Sequence, residues 1–228
     1  MMMIVPLAGP DFDRPDGSTK AEILVEGTPL MRRALDGRAW RSSIARQDKV
    51  FVFRDTAVSR RFASETLSLW FPGARTVFLS HYSQGAAFST LAGLSLAAMD
   101  EPVVVDLADI EFSCAPGLET RFADPNLGGI ALTFPSNNPQ YSYIQESSAG
   151  QFVRAAEKVV ISEHASAGVY MFRDTATYLG ALAHNLRSPA DHTCNGLHYV
   201  CPLFNGVSAQ GLRVERHQVQ DVIDIKVD

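Results

Sequence analysis

Three groups of residues in this 228-residue chain have types and spacings that could do chemistry. The first is Leu7-Ala8-Gly9-Pro10-Asp11-Phe12-Asp13-Arg14, continuing through Gly17-Ser18-Thr19-Lys20. It follows Met3–Leu7, an apolar run that reads as a buried strand. In open α/β sheets, ligands bind beyond the carboxyl ends of strands. A loop there, with a glycine for close backbone approach and two cations to oppose phosphate charge, can hold a nucleoside triphosphate. Gly, Pro and Asp are also ordinary turn residues, so a solvated turn is the plain alternative. The second group is Val103-Val104-Val105-Asp106-Leu107-Ala108-Asp109, an apolar strand ending in two carboxylates. An aspartate at such a tip suits Mg²⁺, which takes one or two carboxylates plus substrate phosphates. Either aspartate could instead cap the following segment. The third is Glu157-Lys158, where the lysine could bind an anionic acceptor and the glutamate could orient it or bind hydroxyls. The alternative is a surface ion pair worth little. Lysine is scarce, with only Lys20, Lys49, Lys158 and Lys226 among 20 basic residues, so each merits individual attention.

Other chemistries fit less well. His192, Cys194, His198 and Cys201 are all soft-ligand types, but H-x-C-x3-H-x2-C misses the usual C-x2-C and H-x3-H pairs of zinc sites. No G-x-S-x-G occurs to support a serine hydrolase. Hydrophobic residues make up 46% and charged residues 20%, which excludes wholesale disorder. A net charge of -5 argues against a general nucleic-acid or anionic-membrane binder. It is compatible with phosphate substrates if cations concentrate at the binding cleft. No apolar stretch approaches the ~20 residues needed to span a bilayer. The apolar start lacks a basic leader and reads as a first strand rather than a signal peptide. Three cysteines in a chain this long form no disulfide framework and suit the cytoplasm.

The elements that must position these residues follow from the apolar pattern. The first half predicts strands at Met3–Leu7, Lys49–Arg54, Arg75–Leu79 and Pro102–Leu107. Helices are expected at Thr28–Arg38, Ala57–Trp70 and Ala86–Met99. Apolar strands separated by helices indicate a mainly parallel sheet covered on both faces. The second half predicts closely spaced strands at Gly129–Phe134, Tyr141–Gln145, Phe152–Ala156 and Gly168–Phe172, joined by hairpins. Helices are expected at Asp174–Asn185 and Val200–Gln210, and strands at Arg213–Val219 and Val222–Val227. The expected fold is α/β, a Rossmann-like three-layer sandwich with a mixed, mainly parallel central sheet. It forms one domain over 1–228, with halves 1–125 and 126–228.

Taken in order, these segments resemble the sugar-phosphate nucleotidyltransferase family, and more closely its short bacterial members associated with capsule and surface-polysaccharide biosynthesis. The resemblance rests on Val5-Pro6-Leu7-Ala8-Gly9, Thr19-Lys20 through Gly27-Thr28-Pro29-Leu30, Gln84-Gly85-Ala86-Ala87 and Asp109. It continues through Gly128–Phe134, Ser142-Tyr143, Glu157-Lys158, Gly168-Val169-Tyr170 and Tyr199–Asn205. It implies a cytoplasmic enzyme whose partners are a nucleoside triphosphate and a phosphorylated small-molecule acceptor, with a homodimer among the arrangements it allows. The nucleotide would bind at Leu7, Ala8, Gly9, Gln84 and Gly85, and the acceptor at Glu157, Lys158 and Gly168. Mg²⁺ would be held by Asp109 and Asp224, while Arg14 and Lys20 neutralise the departing pyrophosphate. The acceptor phosphate would attack the α-phosphorus in line. The chain departs from the family pattern in places. Asp11 replaces a loop glycine, where its carboxylate would repel triphosphate unless it turns away or meets a cation. Arg14 is displaced by one residue, Leu197 replaces a glutamate, and Ile225-Lys226-Val227 replaces Gly-Thr-Pro after Asp224. An alternative reading is a nucleotide-binding or regulatory relative without turnover. Another is a glycosyltransferase using Asp106 and Asp109 on a nucleotide-sugar.

Overall fold

The computed structural model describes residues 1–224. Its principal strands are β1 (Met2–Leu7), β2 (Lys49–Arg54), β3 (Arg75–Leu79), β4 (Val103–Asp106), β5 (Ile110–Ser113), β6 (Leu127–Pro135), β7 (Ser142–Glu146), β8 (Phe152–Glu157), β9 (His164–Phe172), β10 (Arg213–Gln218) and β11 (Gln220–Asp224). The principal helices are α1 (Leu30–Asp36), α2 (57–70, whose middle segment Phe62–Leu67 is π-helical), α3 (Ala86–Leu94), α4 (Thr175–Arg187) and α5 (Leu203–Ala209). Nine strands form one sheet along the path β8-β7-β9-β4-β1-β2-β3, with β6 beside β9 and β10 beside β6. Strands β1 to β4 are mutually parallel, β9 runs against β4, β6 and β7, and β10 is parallel to β6. Only β8 and β9 of that sheet therefore oppose the common direction, so the sheet is mixed and mainly parallel, as expected. β11 pairs with β5 outside it.

The strand sequences explain the layering. Successive side chains point to opposite faces, and a strand buried on both faces reads as a continuous apolar run. Met3, Val5, Phe51, Phe53 and Val104 pack on one face against α1, α2 and Trp40. Met2, Ile4, Val50, Val52, Val103 and Val105 pack on the other against Leu94, Tyr178, Leu203 and Phe204 of α3, α4 and α5. The result is three layers.

Several boundaries differ from expectation. The helix expected over 28–38 covers only Leu30–Asp36. Thr28–Pro29 instead pairs with Leu24–Val25 around Glu26 and Gly27, both at positive φ. The helix expected over 86–99 stops at Leu94, and that expected over 200–210 begins at Leu203. β5 was not anticipated, being four residues long and directly after a turn. β11 covers the start of the expected closing strand, whose residues 225–227, Lys226 included, lie outside the described residues. No helix among the described residues is long and apolar enough to cross a membrane.

Candidate active site

A cleft of about 820 Å³ opens at the carboxyl ends of β1 and β4 and extends over β7, β8 and β9. That volume suits a small-molecule ligand. From the residues singled out in the sequence it gathers Ala8, Gly9, Lys20, Gly85, Asp109, Glu157, Lys158 and Gly168. Leu7 lines a smaller adjoining recess of about 170 Å³, shared with Asp11, Lys20 and Asp109. Arg14, Gln84 and Asp224 are not among the lining residues.

The loop after β1 is built by its own backbone. Gly17, at φ 80°, donates to the Arg14 carbonyl at 3.0 Å, closing a turn at the loop tip. Arg14 N–H then bonds Ser18 O, and Lys20 N–H bonds Phe12 O at 2.8 Å. Thr19 and Glu22 complete a capping box that starts the short helical turn Lys20–Glu22. This closure leaves the Arg14 guanidinium at the tip, 3.6 Å from Asp16. It brings Lys20 back to the cleft, where its Nζ lies 2.6 Å from Asp11 Oδ2. The residue in the family glycine's place thus meets a cation, namely the lysine expected to receive triphosphate. Burial raises the Asp11 pKa, but the hydrogen bond and charge of Lys20 outweigh it and hold the carboxyl below its usual range.

The opposite rim is a glycine contact. Gly85 sits at φ 107°, and a Cβ there would meet the His198 carbonyl oxygen at 2.3 Å. Only glycine fits. The hairpin Thr193–Cys194 and Leu197–His198 crosses here, with His198 N–H bonded to Gln84 O at 2.8 Å. Gln84 therefore contributes backbone to the rim. The hairpin carries Cys194 and His198 of the His/Cys cluster. Cys201 is buried in the core, and His198 packs edge-on against Phe88. Among the described residues no three His, Cys, Asp or Glu side chains are grouped to hold a metal.

Asp109 follows β4 and faces Gly168, which sits at φ 74°; a Cβ there would meet Asp109 Oδ1 at 2.9 Å. Asp106 is fully buried and paired with Arg38, so it is the capping aspartate and not a cleft residue. That separates the two carboxylates and tells against Asp106 and Asp109 acting together on a nucleotide-sugar. Asp224, on β11, accepts a hydrogen bond from the Tyr141 hydroxyl, and Tyr141 lines the cleft. Burial, then Asp224, then Asp109 raise the Tyr141 pKa. Two hard oxygen donors beside a cleft fit Mg²⁺, which completes its shell with water and phosphate oxygens.

In the second half, Lys158 takes a positive φ of 55° and donates its N–H to Tyr141 O at 3.1 Å. Its ammonium lies 5.4 Å from the Tyr199 ring centroid. Glu157 accepts from the Ser142 hydroxyl. The cleft's charged lining is Lys20 and Lys158 against Asp11, Asp109 and Glu157. The condition set for phosphate substrates, cations concentrated at the cleft, is therefore not met by this lining, where three carboxylates face two lysines. Tyr82 also lines the cleft unforeseen, as do Tyr141, read only as a strand start, and Leu197, noted only as a departure from the family pattern; Arg54 stacks 4.1 Å over Tyr82. The only sequence signal for Tyr82 was its position just before Gln84-Gly85.

No protein-family model matches the chain, and no curated protein sequence matches it. Solved structures do match. A nucleoside-diphosphate-sugar pyrophosphorylase from Vibrio cholerae RC9 superposes with TM-score 0.82 at 20% identity, covering 98% of this chain and 95% of its own. The chain shares the fold of that protein. A provisionally assigned glucose-1-phosphate thymidylyltransferase from Bacillus anthracis, in complex with sucrose, gives 0.74 at 15% identity over 98% and 89%. The inositol-1-phosphate CTP transferase from T. maritima gives 0.65 at 11% identity over 97% and 86%. The fold shared with these structures thus accounts for nearly all of the chain.

Proposed function

We propose that this protein is a Mg²⁺-dependent nucleotidyltransferase. It joins the NMP part of an NTP to the phosphate of a small molecule, a sugar phosphate or similar, and releases pyrophosphate. The observation that carries this reading is one cleft holding Lys20, Asp109 and Lys158 at the carboxyl ends of a mainly parallel sheet. The nucleotide half is 1–125 and the acceptor half 126–228. Backbone at 7–9 and 84–85 receives the nucleotide, and Lys20 meets its phosphates once freed from Asp11. Arg14, on the loop tip, opposes the same charge. Lys158 holds the acceptor phosphate, Glu157 its polar groups, and Gly168 leaves room beside Asp109. Asp109 and Asp224 hold Mg²⁺, which when bound offsets phosphate charge. A cleft whose own cations are outnumbered needs that charge to accept a triphosphate. The reaction then depends on positioning and electrostatic stabilisation rather than a protein nucleophile. We place the enzyme in the cytoplasm, in capsule or surface-polysaccharide synthesis, a setting suggested by the sequence resemblance alone.

The test is incubation with each NTP, Mg²⁺ and a panel of sugar 1-phosphates and other phosphorylated acceptors. Pyrophosphate release should require an acceptor and be lost in Asp109→Ala. A second reading, a nucleotide-binding subunit without turnover, is favoured by Asp11 occupying Lys20. Calorimetric nucleotide binding with no turnover on any acceptor would select it.

A further inference from the structure

The pair Arg38–Asp106 does not line the cleft, yet it sits directly behind Asp109. The side chains are 1% and 0% exposed. Arg38 lies one residue past Gly37, the cap of α1. Its fork reaches both carboxylate oxygens, Nε to Oδ2 at 2.7 Å and Nη2 to Oδ1 at 3.1 Å. Nη2 also reaches the Ile110 carbonyl at 2.9 Å, and the guanidinium lies 4.0 Å over the Phe112 ring. Asp106 Oδ1 accepts the Ala108 N–H at 2.9 Å, and the Leu107 N–H bonds Gly168 O at 2.9 Å. Ala108 has φ 56°, a left-handed conformation that a residue with a side chain keeps only when its surroundings hold it. One guanidinium therefore grips the residue before the turn and the residue after it. Asp109 lies between them.

We propose that Arg38 and Asp106 are positioning residues, holding the turn 106–110 in the shape that presents the Asp109 carboxylate to the cleft and its metal. The inference rests on the reading of Asp109 as a metal ligand. Stability alone does not explain the pair, since a buried ion pair can often be replaced by apolar residues of similar volume without loss. Groups behind a metal ligand set its orientation, and their loss weakens metal binding or activity by about 10–100-fold. A planar fork that bonds a carboxylate and a carbonyl together is suited to that task in a way a lysine is not.

The experiment measures Mn²⁺ affinity of the full chain by electron paramagnetic resonance, beside thermal melting and steady-state kinetics. In Arg38→Met/Asp106→Leu no buried charge is left uncompensated, so the double variant should melt near the wild type. Its Mn²⁺ affinity and kcat should each fall about 10-fold or more. A folded double variant with wild-type Mn²⁺ affinity overturns the inference, and so does a wild type that binds Mn²⁺ no better than Asp109→Ala. If the double variant does not fold, hydrogen exchange on the wild type decides. Ala108 N–H protected like the core of β4 supports the inference, and exchange at exposed-loop rates overturns it. Absence of pyrophosphate release with every NTP, while the wild type binds Mn²⁺ and the double variant loses it, would remove the transferase reading and leave this one standing.

Discussion

Two ion pairs of nearly equal length neighbour the metal-ligand candidate Asp109, one lining a recess with it and one bonded to the turn that carries it. Lys20 reaches Asp11 at 2.6 Å and Arg38 reaches Asp106 at 2.7 Å. Their surroundings differ completely. Asp11 is 66% exposed and Lys20 25%, on a loop that lines the cleft. Asp106 and Arg38 are sealed in the core; two hydrogen bonds join them to each other, and two more, to the Ile110 carbonyl and from the Ala108 N–H, join them to their turn. Solvent screening and side-chain entropy reduce an exposed pair to about 0–1 kcal/mol. The Lys20–Asp11 bond is therefore a contact that an incoming phosphate can exchange. The Arg38–Asp106 pair has no solvent to exchange with, so its value lies in the geometry it imposes. The distance between opposite charges does not say which kind of pair is present; the burial and the remaining partners do.

The largest expected effect tests what both pairs serve. Asp109→Ala should lower acceptor-dependent pyrophosphate release by about 10³-fold, the scale of losing a group that stabilises transition-state charge. Turnover close to wild type would remove Asp109 from the centre of the comparison.

The comparison itself is broken or confirmed by two melts. Arg38→Ala leaves Asp106 buried without its cation, at a cost of about 3–5 kcal/mol. For a chain of this size that lowers Tm by about 10 °C. Lys20→Ala removes one side of a screened pair and should cost about 1 kcal/mol or less. Equal shifts in Tm for the two variants would show that burial does not separate the pairs.

Next in size is the cleft's other lysine. Lys158 lies over the Tyr199 ring, so a phosphate gains its charge without first displacing Asp11. Lys158→Ala should raise the acceptor KM by about 10–100-fold, the worth of a charge-assisted bond, and leave the nucleotide KM unchanged. A change in nucleotide KM alone would exchange the roles assigned to the two halves.

Most of this architecture can be read from the chain, and the exceptions have physical causes. Runs such as Lys49–Arg54 and Val103-Val104-Val105 are legible because strands buried on both faces carry no polar alternation to misread. The loops after them are legible because the cleft lies at their carboxyl ends. Arg38 is not, since its partner is 68 residues away and nothing in its own neighbourhood marks it among the arginines. Asp106 shows the same limit. The Val-Val-Val-Asp-Leu-Ala-Asp pattern supports a cap or a metal ligand for either aspartate, and burial divides the two roles. Arg14 and Lys20 share one loop, but backbone closure around Gly17 leaves one at the tip and returns the other to the cleft. Residue type alone cannot supply that.

The smallest effect is the most informative about the exposed pair. Asp11→Gly removes the internal anion from Lys20 at the position where the family that the sequence resembles carries glycine. An exposed pair of about 0.2–1 kcal/mol corresponds to a nucleotide KM lower by about 1.4- to fivefold, with kcat little changed. The pH dependence carries the sign of the interaction. Lys20 holds the Asp11 carboxyl below its usual range, so the pair is intact above that range and is lost only as pH falls through the lowered value. Between about pH 5 and 8, wild type and Asp11→Gly should therefore show parallel profiles of nucleotide KM. Profiles that converge on acidification within that window would mean that Asp11 titrates there and that Lys20 is not its partner in solution. A wild type without turnover that gains it in Asp11→Gly would mean instead that this screened contact is sufficient to keep triphosphate out, making the chain a nucleotide-binding subunit silenced at one residue.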